Sequence, residues 1–265
     1  MSVYSEEKPK NLNQCLQSLA QQTFKACEVI LVEDGPVDSV LKEVIERHRN
    51  SLRIISVPLV KNVGLAQALN EGLKHCRHEF IARMDADDVA LADRFEKQIN
   101  LIQQGYDLVG GAILEVDQQN QPIAIRKPPL TEDEIRMQLP KRNPFNHMTV
   151  AFRADFVREC CGYPDVYLKE DYALWATMIS NGARVANTSE ILVRATAGRE
   201  MYQRRGGLRY VKSEVALQRH FLNCGVSTLA KALLYGPLRS VVFLIPSRLR
   251  GWVYETFFRK RVQAQ

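Results

Sequence analysis

Several things are missing from this chain, and each absence narrows what it can do. Among its 265 residues no apolar stretch runs long enough without interruption to cross a bilayer. Nothing at the N-terminus reads as a signal peptide. The six cysteines (Cys15, Cys27, Cys76, Cys160, Cys161 and Cys224) include no C-x-x-C pair. That argues against a zinc site and fits reduced thiols in a cytosolic chain. There is no internal repeat and no low-complexity tract. What remains is an ordinary globular composition, 46% hydrophobic and 25% charged, sized for one large domain or one domain with an appendage. The net charge of +6 and the pI near 9.0 point to nucleic acid, a membrane surface or an anionic substrate. Where the charge lies decides among them.

The stretch that organises the chain is Phe80-Ile81-Ala82-Arg83-Met84-Asp85-Ala86-Asp87-Asp88. It opens as a buried strand and ends in three carboxylates within four residues. Carboxylates crowded this way repel one another unless a cation sits among them. A hard divalent ion such as Mg²⁺ or Mn²⁺ suits them and keeps positions open for substrate phosphates. The alternative is a solvated acidic turn.

Around this stretch the pattern alternates. Strands are expected at Met1–Tyr4, Glu28–Val32 and Leu52–Val57, and helices at Asn11–Gln22, Val40–Arg49 and Leu65–His75. Such alternation predicts a Rossmann-like α/β fold, a mainly parallel sheet flanked by helices. Ligands of such sheets collect at the carboxyl ends of the strands, where Asp34 and Asp85–Asp88 both fall. Later come a helix at Asp93–Gln104, a strand at Asp107–Val116, a hairpin through Gln118–Pro122, a helix start at Thr131 and a strand at Asn146–Phe152. Glu170 and Asp171 open a further helix, where an acidic pair is either a favourable dipole partner or a catalytic pair.

In this order, Asp34-Gly35, Asn62-Val63-Gly64-Leu65-Ala66-Gln67-Ala68-Leu69-Asn70, Met84–Asp88, Asp93-Arg94-Phe95 and Glu170-Asp171 resemble the family 2 glycosyltransferases of the GT-A fold. The likeness runs from residue 1 to about residue 200. It is nearest to the bacterial amylovoran-biosynthesis and O-antigen enzymes, whose counterpart of Asn143-Pro144-Phe145-Asn146-His147-Met148-Thr149-Val150 is similar.

The resemblance implies an inverting, metal-dependent transfer of a hexose from a UDP-sugar, galactose or glucose, to a lipid-linked acceptor such as an undecaprenyl-diphosphate saccharide. Asp34 would accept a hydrogen bond from the uracil, with Ser2, Tyr4, Asn62 and Ala86 completing the nucleotide-sugar site. Asp87 would hold Mn²⁺ or Mg²⁺, and Asp85 would contact the ribose or the metal's water shell. Asp171, with Glu170 beside it, would be the general base that makes a β-linkage from an α-linked donor. Arg204 and Arg205 are either a clamp on the diphosphate or a solvated basic loop. Arg83 either reaches the nucleotide or shields its acidic neighbours. The first strand is expected to be short, or to begin upstream of Met1.

From Val226 to Arg261 large apolar groups (Leu233, Leu234, Val241, Trp252, Phe257) alternate with Lys231, Arg239, Arg248, Arg250 and Arg259, and Glu255 is the one acid. Gly236, Pro237 and Pro246 are expected to break this run into short pieces. A basic amphipathic stretch of this kind lies in a lipid interface. The alternatives are packing on the catalytic domain or a dimer contact. Interleaving with large apolar groups disfavours nucleic acid. Residues 1–215 are thus read as the catalytic domain, with its nucleotide half over 1–95 and its acceptor half over 96–215. Residues 216–265 are read as a membrane-associating tail on the inner face of the cytoplasmic membrane. Other readings are a sugar-1-phosphate nucleotidyltransferase, whose glycine-rich loop is absent from Ser5–Lys10, and a non-catalytic nucleotide-sugar-binding partner.

Overall fold

The structure, a computed structural model, describes residues 1–117, 119–196, 206–244 and 260–261. Its first unit grows from β2 (Val29–Glu33), buried at every position because helices cover both of its faces. It pairs in parallel with β1 (Ser2–Val3) and β3 (Ile54–Pro58). On one face α1 (Pro9–Ala20) and α2 (Ser39–Leu52) bring Leu12, Leu16, Leu41 and Ile45 against Leu31. On the other, Ala68 of α3 (Leu65–His75) meets Ile30, Val32 and Val57. Asp38 caps α2 by accepting from the Leu41 amide at 2.8 Å.

The parallel pairing expected along the chain holds through these three strands and then changes. β4 (Phe80–Ala82) runs antiparallel to β8 (Ala151–Arg153), and β6 (Leu108–Val116) pairs antiparallel with β7 (Pro122–Arg126) and β8. Only β9 (Val185–Thr196) lies parallel to β6, and β5 (Val89–Ala90) joins its far end antiparallel. β10 (Lys260–Arg261) edges β7. The sheet turns mixed because a short hairpin joins β6 to β7, and short hairpins make antiparallel pairs. Gly110 lets β9 approach, since a Cβ there would stand 2.4 Å from Asn187 Oδ1.

Three local expectations need correction. Asn146–Phe152 is not one strand. Its first half is a 3₁₀ turn over His147–Thr149, and β8 begins at Ala151. Side chains satisfy the turning backbone: Thr149 Oγ1 donates to Asn146 O at 2.8 Å, and Asn146 Nδ2 donates to Gly111 O at 2.8 Å. The boundary expected at residue 216 falls inside α8 (Leu208–Asn223). Leu217 and Phe221 are fully buried with Trp175 and Tyr172 in the largest core, so this helix belongs to the main body. Gly236 and Pro237 do not break the chain either. α9 (Leu229–Leu244) continues through both, with Gly236 close against Gln218 of α8. Packing along α8 offsets the backbone bond that a proline removes. Among the described residues no helix is long and apolar enough to cross a membrane. Residues 245–259 and 262–265, which carry the rest of the basic stretch, lie outside the described residues.

Candidate active site

The acidic turn follows β4, and what holds it is mostly buried. Arg83, 4% exposed, forms an ion pair with Asp85. Arg94 of α4 (Arg94–Gln103) is fully buried beneath them. It donates to Arg83 O at 2.6 Å, to Gln98 Oε1 at 2.9 Å and to Met84 Sδ at 3.0 Å. From below, Cys15 Sγ of α1 donates to Asp85 O at 3.2 Å. The chain therefore cannot relax away from its own charge repulsion.

The three carboxylates then divide. Burial raises Asp85, but the charge and hydrogen bond of Arg83 outweigh it and hold the carboxyl below its usual range. Asp88 is buried. Loss of water, then Asp85 and Asp87, push it well up, while its Oδ1 accepts from the Thr196 amide at 3.3 Å and its Oδ2 has no partner. Asp87 is the exposed member. Desolvation in the crevice, then Asp85 and Glu7, push it up to about 6. Arg83 thus shields the cluster rather than standing free.

The nucleotide side is assembled by the ends of β1 and β2. The Asp34 amide donates to Val3 O at 2.7 Å, which sets Asp34 beside Tyr4. The Asp34 carboxylate accepts from the Val63 amide at 2.7 Å and the Gly64 amide at 3.2 Å, and Asn62 Nδ2 donates to Asp34 O at 3.3 Å. Gly35, at φ +88°, permits this closeness, since a Cβ there would meet the Asn62 nitrogen at 2.7 Å. Much of Asp34 is therefore spent on shaping the loop. Ser2 pairs in register with Val32 next to this end of the sheet, and Ala86 is buried within the acidic turn. Arg204 and Arg205 lie outside the described residues.

Beyond the short helices α5 (Glu132–Gln138) and α6 (Ala154–Glu159), Glu170 and Asp171 are the first two residues of α7 (Glu170–Ser180). Asn143 Nδ2 donates to Asp171 Oδ2 at 2.8 Å and orients it. Burial and then Asp171 push Glu170 up to about 7, and Arg83 and Asp85 also act on it through space. The same Arg83, Asp85 and Asp171 act on His147, which burial brings down to about 4, so its ring is neutral at pH 7. Asp85, His147, Glu170 and Asp171 therefore share one electrostatic environment, with Tyr163 beside them. His147 packs at 5.7 Å from the Tyr163 ring and 6.1 Å from Trp175, which makes it part of the wall.

Whether a divalent cation fits can be judged from these donors. Among the described residues no three His, Cys, Asp or Glu side chains form a metal cage. With Asp85 paired to Arg83 and Asp88 buried, Asp87 is the carboxylate left to face outward. Mg²⁺ and Mn²⁺ sites that share substrate phosphates use one or two protein carboxylates, so this donor set fits an ion that the substrate completes.

Four positioning residues were not singled out from the sequence. Arg94 staples the acidic turn, and Asn143 orients Asp171. Asn70 of α3 accepts from the Tyr163 amide at 2.7 Å and donates to Tyr163 O at 2.8 Å, fixing the turn that leads into α7. Lys169 precedes Glu170 and reaches a buried partner in α8. Arg94, Asn143 and Asn70 sit inside runs that already carried the resemblance. Lys169 gave no signal.

The family model described as Glycosyl transferase family 2 matches residues 1–161. The chain is 42% identical over 257 residues to the amylovoran biosynthesis glycosyltransferase AmsE of Erwinia amylovora, covering 96% of each. It is 33% identical over 262 residues to the UDP-Gal:alpha-D-GlcNAc-diphosphoundecaprenol beta-1,3-galactosyltransferase of Escherichia coli, covering 98% of this chain and 95% of that one. Among solved structures, S. aureus TarS 1-349 in complex with UDP-GlcNAc aligns with a TM-score of 0.68 at 20% identity. That alignment covers 97% of this chain and 75% of the TarS 1-349 chain.

Proposed function

This chain belongs to glycosyl transferase family 2 and has the GT-A fold, and we propose that it moves a hexose from a UDP-sugar to a lipid-linked saccharide. One observation carries the reading: Asp87 stands exposed in a turn where Asp85 is paired to Arg83 and Asp88 is buried, and the same Arg83 and Asp85 act on His147 and Glu170 beside an oriented Asp171. The galactosyltransferase relative, whose name gives both a UDP-galactose donor and a diphosphoundecaprenol acceptor, supports UDP-galactose as the donor and polysaccharide assembly as the setting. AmsE supports the same setting.

In this reading Asp34 turns a remaining lone pair toward the nucleobase, and Tyr4 and Asn62 line that end. Asp87, aided by Asp85, would hold Mn²⁺ or Mg²⁺. The ion would neutralise charge on the departing UDP. Asp171, held by Asn143, removes the proton of the acceptor hydroxyl as it attacks the anomeric carbon opposite the leaving group. One displacement inverts the centre, so an α-linked donor gives a β-linkage. The basic C-terminal part attaches the enzyme to the cytoplasmic membrane face, where a lipid-linked acceptor is found.

The test is metal-dependent release of UDP or GDP across a panel of nucleotide sugars, with wild type beside Asp87→Ala. Release from one UDP-sugar that needs Mn²⁺ or Mg²⁺ and disappears in Asp87→Ala supports the reading. Metal-independent release, or no release from any donor when membranes and lipid-linked acceptor are supplied, overturns it.

A further inference from the structure

The helix α9 is turned inside out. Leu229, Leu233, Leu234, Leu238 and Val241 are 55–67% exposed, while its inward side carries Ala232, Gly236, the charged Arg239 and, at its end, one large apolar group, Phe243. On α8, Leu208, Lys212, Val215 and Arg219 recur at helical spacing and are all exposed. Between residues 206 and 244 the cations Arg209, Lys212, Arg219, Lys231 and Arg239 are set against a single acid, Glu214, which is fully buried. The helix pair therefore offers apolar side chains and positive charge and no exposed carboxylate. That chemistry matches an anionic phospholipid surface.

The inward side leads to the catalytic helix. Glu214 Oε2 is shared by Arg239 Nη2 and Lys169 Nζ, each at 3.2 Å, and Gln218 Nε2 donates to Oε1 at 2.8 Å. Lys169 immediately precedes Glu170. Arg239 also donates to Tyr172 Oη at 3.2 Å, and Tyr172 immediately follows Asp171. The Lys169 ammonium stands 4.8 Å over the ring of Phe243 at the end of α9. The catalytic pair is thus gripped on both sides by groups whose partners sit on the C-terminal helices.

We propose that the α8–α9 pair is a lipid-docked positioning element. Seating α9 on anionic lipid sets Glu170 and Asp171 through Arg239, Glu214 and Lys169, and so raises turnover. The inference deepens the function proposed above and rests on it. Arg239, Glu214 and Lys169 are positioning residues, since they act through their neighbours.

The experiment uses the full chain with the UDP-sugar that it turns over, and vesicles of phosphatidylglycerol and phosphatidylethanolamine or of phosphatidylcholine alone. Wild type is expected to co-sediment with the anionic vesicles only, with kcat rising at least about threefold and donor KM unchanged. Leu234→Glu/Leu238→Glu is expected to lose both vesicle binding and the rise while keeping the lipid-free rate. Arg239→Met is expected to bind vesicles like wild type yet show no rise. Lys169→Met/Glu214→Leu/Arg239→Met, which replaces the buried ions by apolar groups and so guards against simple unfolding, should behave the same way. Absence of binding to anionic vesicles overturns the proposal, as does binding without a rise in kcat, or a full rise in a folded Arg239→Met or triple variant. Failure of the underlying function is seen separately, as absence of donor turnover in wild type with or without lipid.

Discussion

Two pairs of carboxylates share this crevice, and they are held in opposite ways. Asp85 and Asp87 stand on a turn stapled mostly by residues near in sequence, Arg83 within the turn and Arg94 at the start of the next helix, with Cys15 of α1 as a distant contact. Glu170 and Asp171 stand on a helix end held by distant residues, Asn143 before it and Glu214 and Arg239 after it. The first arrangement is a local charge trap that keeps a cation site concentrated. The second depends on the seating of other elements, so it is the one that can be adjusted.

The strongest way to break the comparison is Asp171→Asn. If this group is the base, kcat should fall by about 10²–10⁴-fold with UDP affinity retained, as read by single-turnover assay beside calorimetry. An unchanged kcat would remove Asp171 from the chemistry. Next, Arg94→Met should cost about 3 kcal/mol of folding stability by denaturant titration, because three buried hydrogen bonds from a charged group are lost. Stability and activity both left intact would mean that the acidic turn holds itself. Asn143→Ala should then lower kcat about tenfold with donor KM unchanged, the worth of one hydrogen bond to a charged acceptor.

The smallest effect concerns pH. Burial and Asp171 raise Glu170 from 4.5 to about 7 in the folded chain. The folded state then holds this proton more tightly than the unfolded one, so its contribution is present at low pH and is lost as pH rises from about 4.5 to 7. Glu170→Gln should flatten that part of the stability profile, followed as the urea midpoint of metal-free protein. It should also remove a step near pH 7 from kcat, since ionised Glu170 strengthens its neighbour as a base. His147 works the other way: neutral in the fold down to about pH 4, it withdraws stability as pH falls below 6.5.

Much of the nucleotide half was legible in the sequence because its signals are short in range. The buried run Val29–Val32, the turn at Asp34-Gly35 and the helix Leu65–His75 need no knowledge of distant partners. The acceptor half was harder. β9 is 12 residues long and central, yet its polar interior, Asn187 to Glu190, carries no strand period, and bulges against β6 accommodate it. His147–Thr149 read as a strand because β-branched and apolar residues follow it, but Asn146 and Thr149 satisfy the backbone of a turn instead. Pro237 read as a break, though α9 runs through it.

By itself the sequence determined the order of the nucleotide-side elements, the acidic turn at a strand end, the acidic pair at a helix start and the basic apolar C-terminal stretch. Each of these is written in neighbouring residues. Only the tertiary structure decided which carboxylate of Asp85, Asp87 and Asp88 stays open, since that depends on where Arg83 and the Thr196 amide lie. It also decided that the amphipathic stretch faces its leucines outward. Arg239 is drawn inward by Glu214, a buried charge that must be paired, and the apolar side of the helix is left to face out.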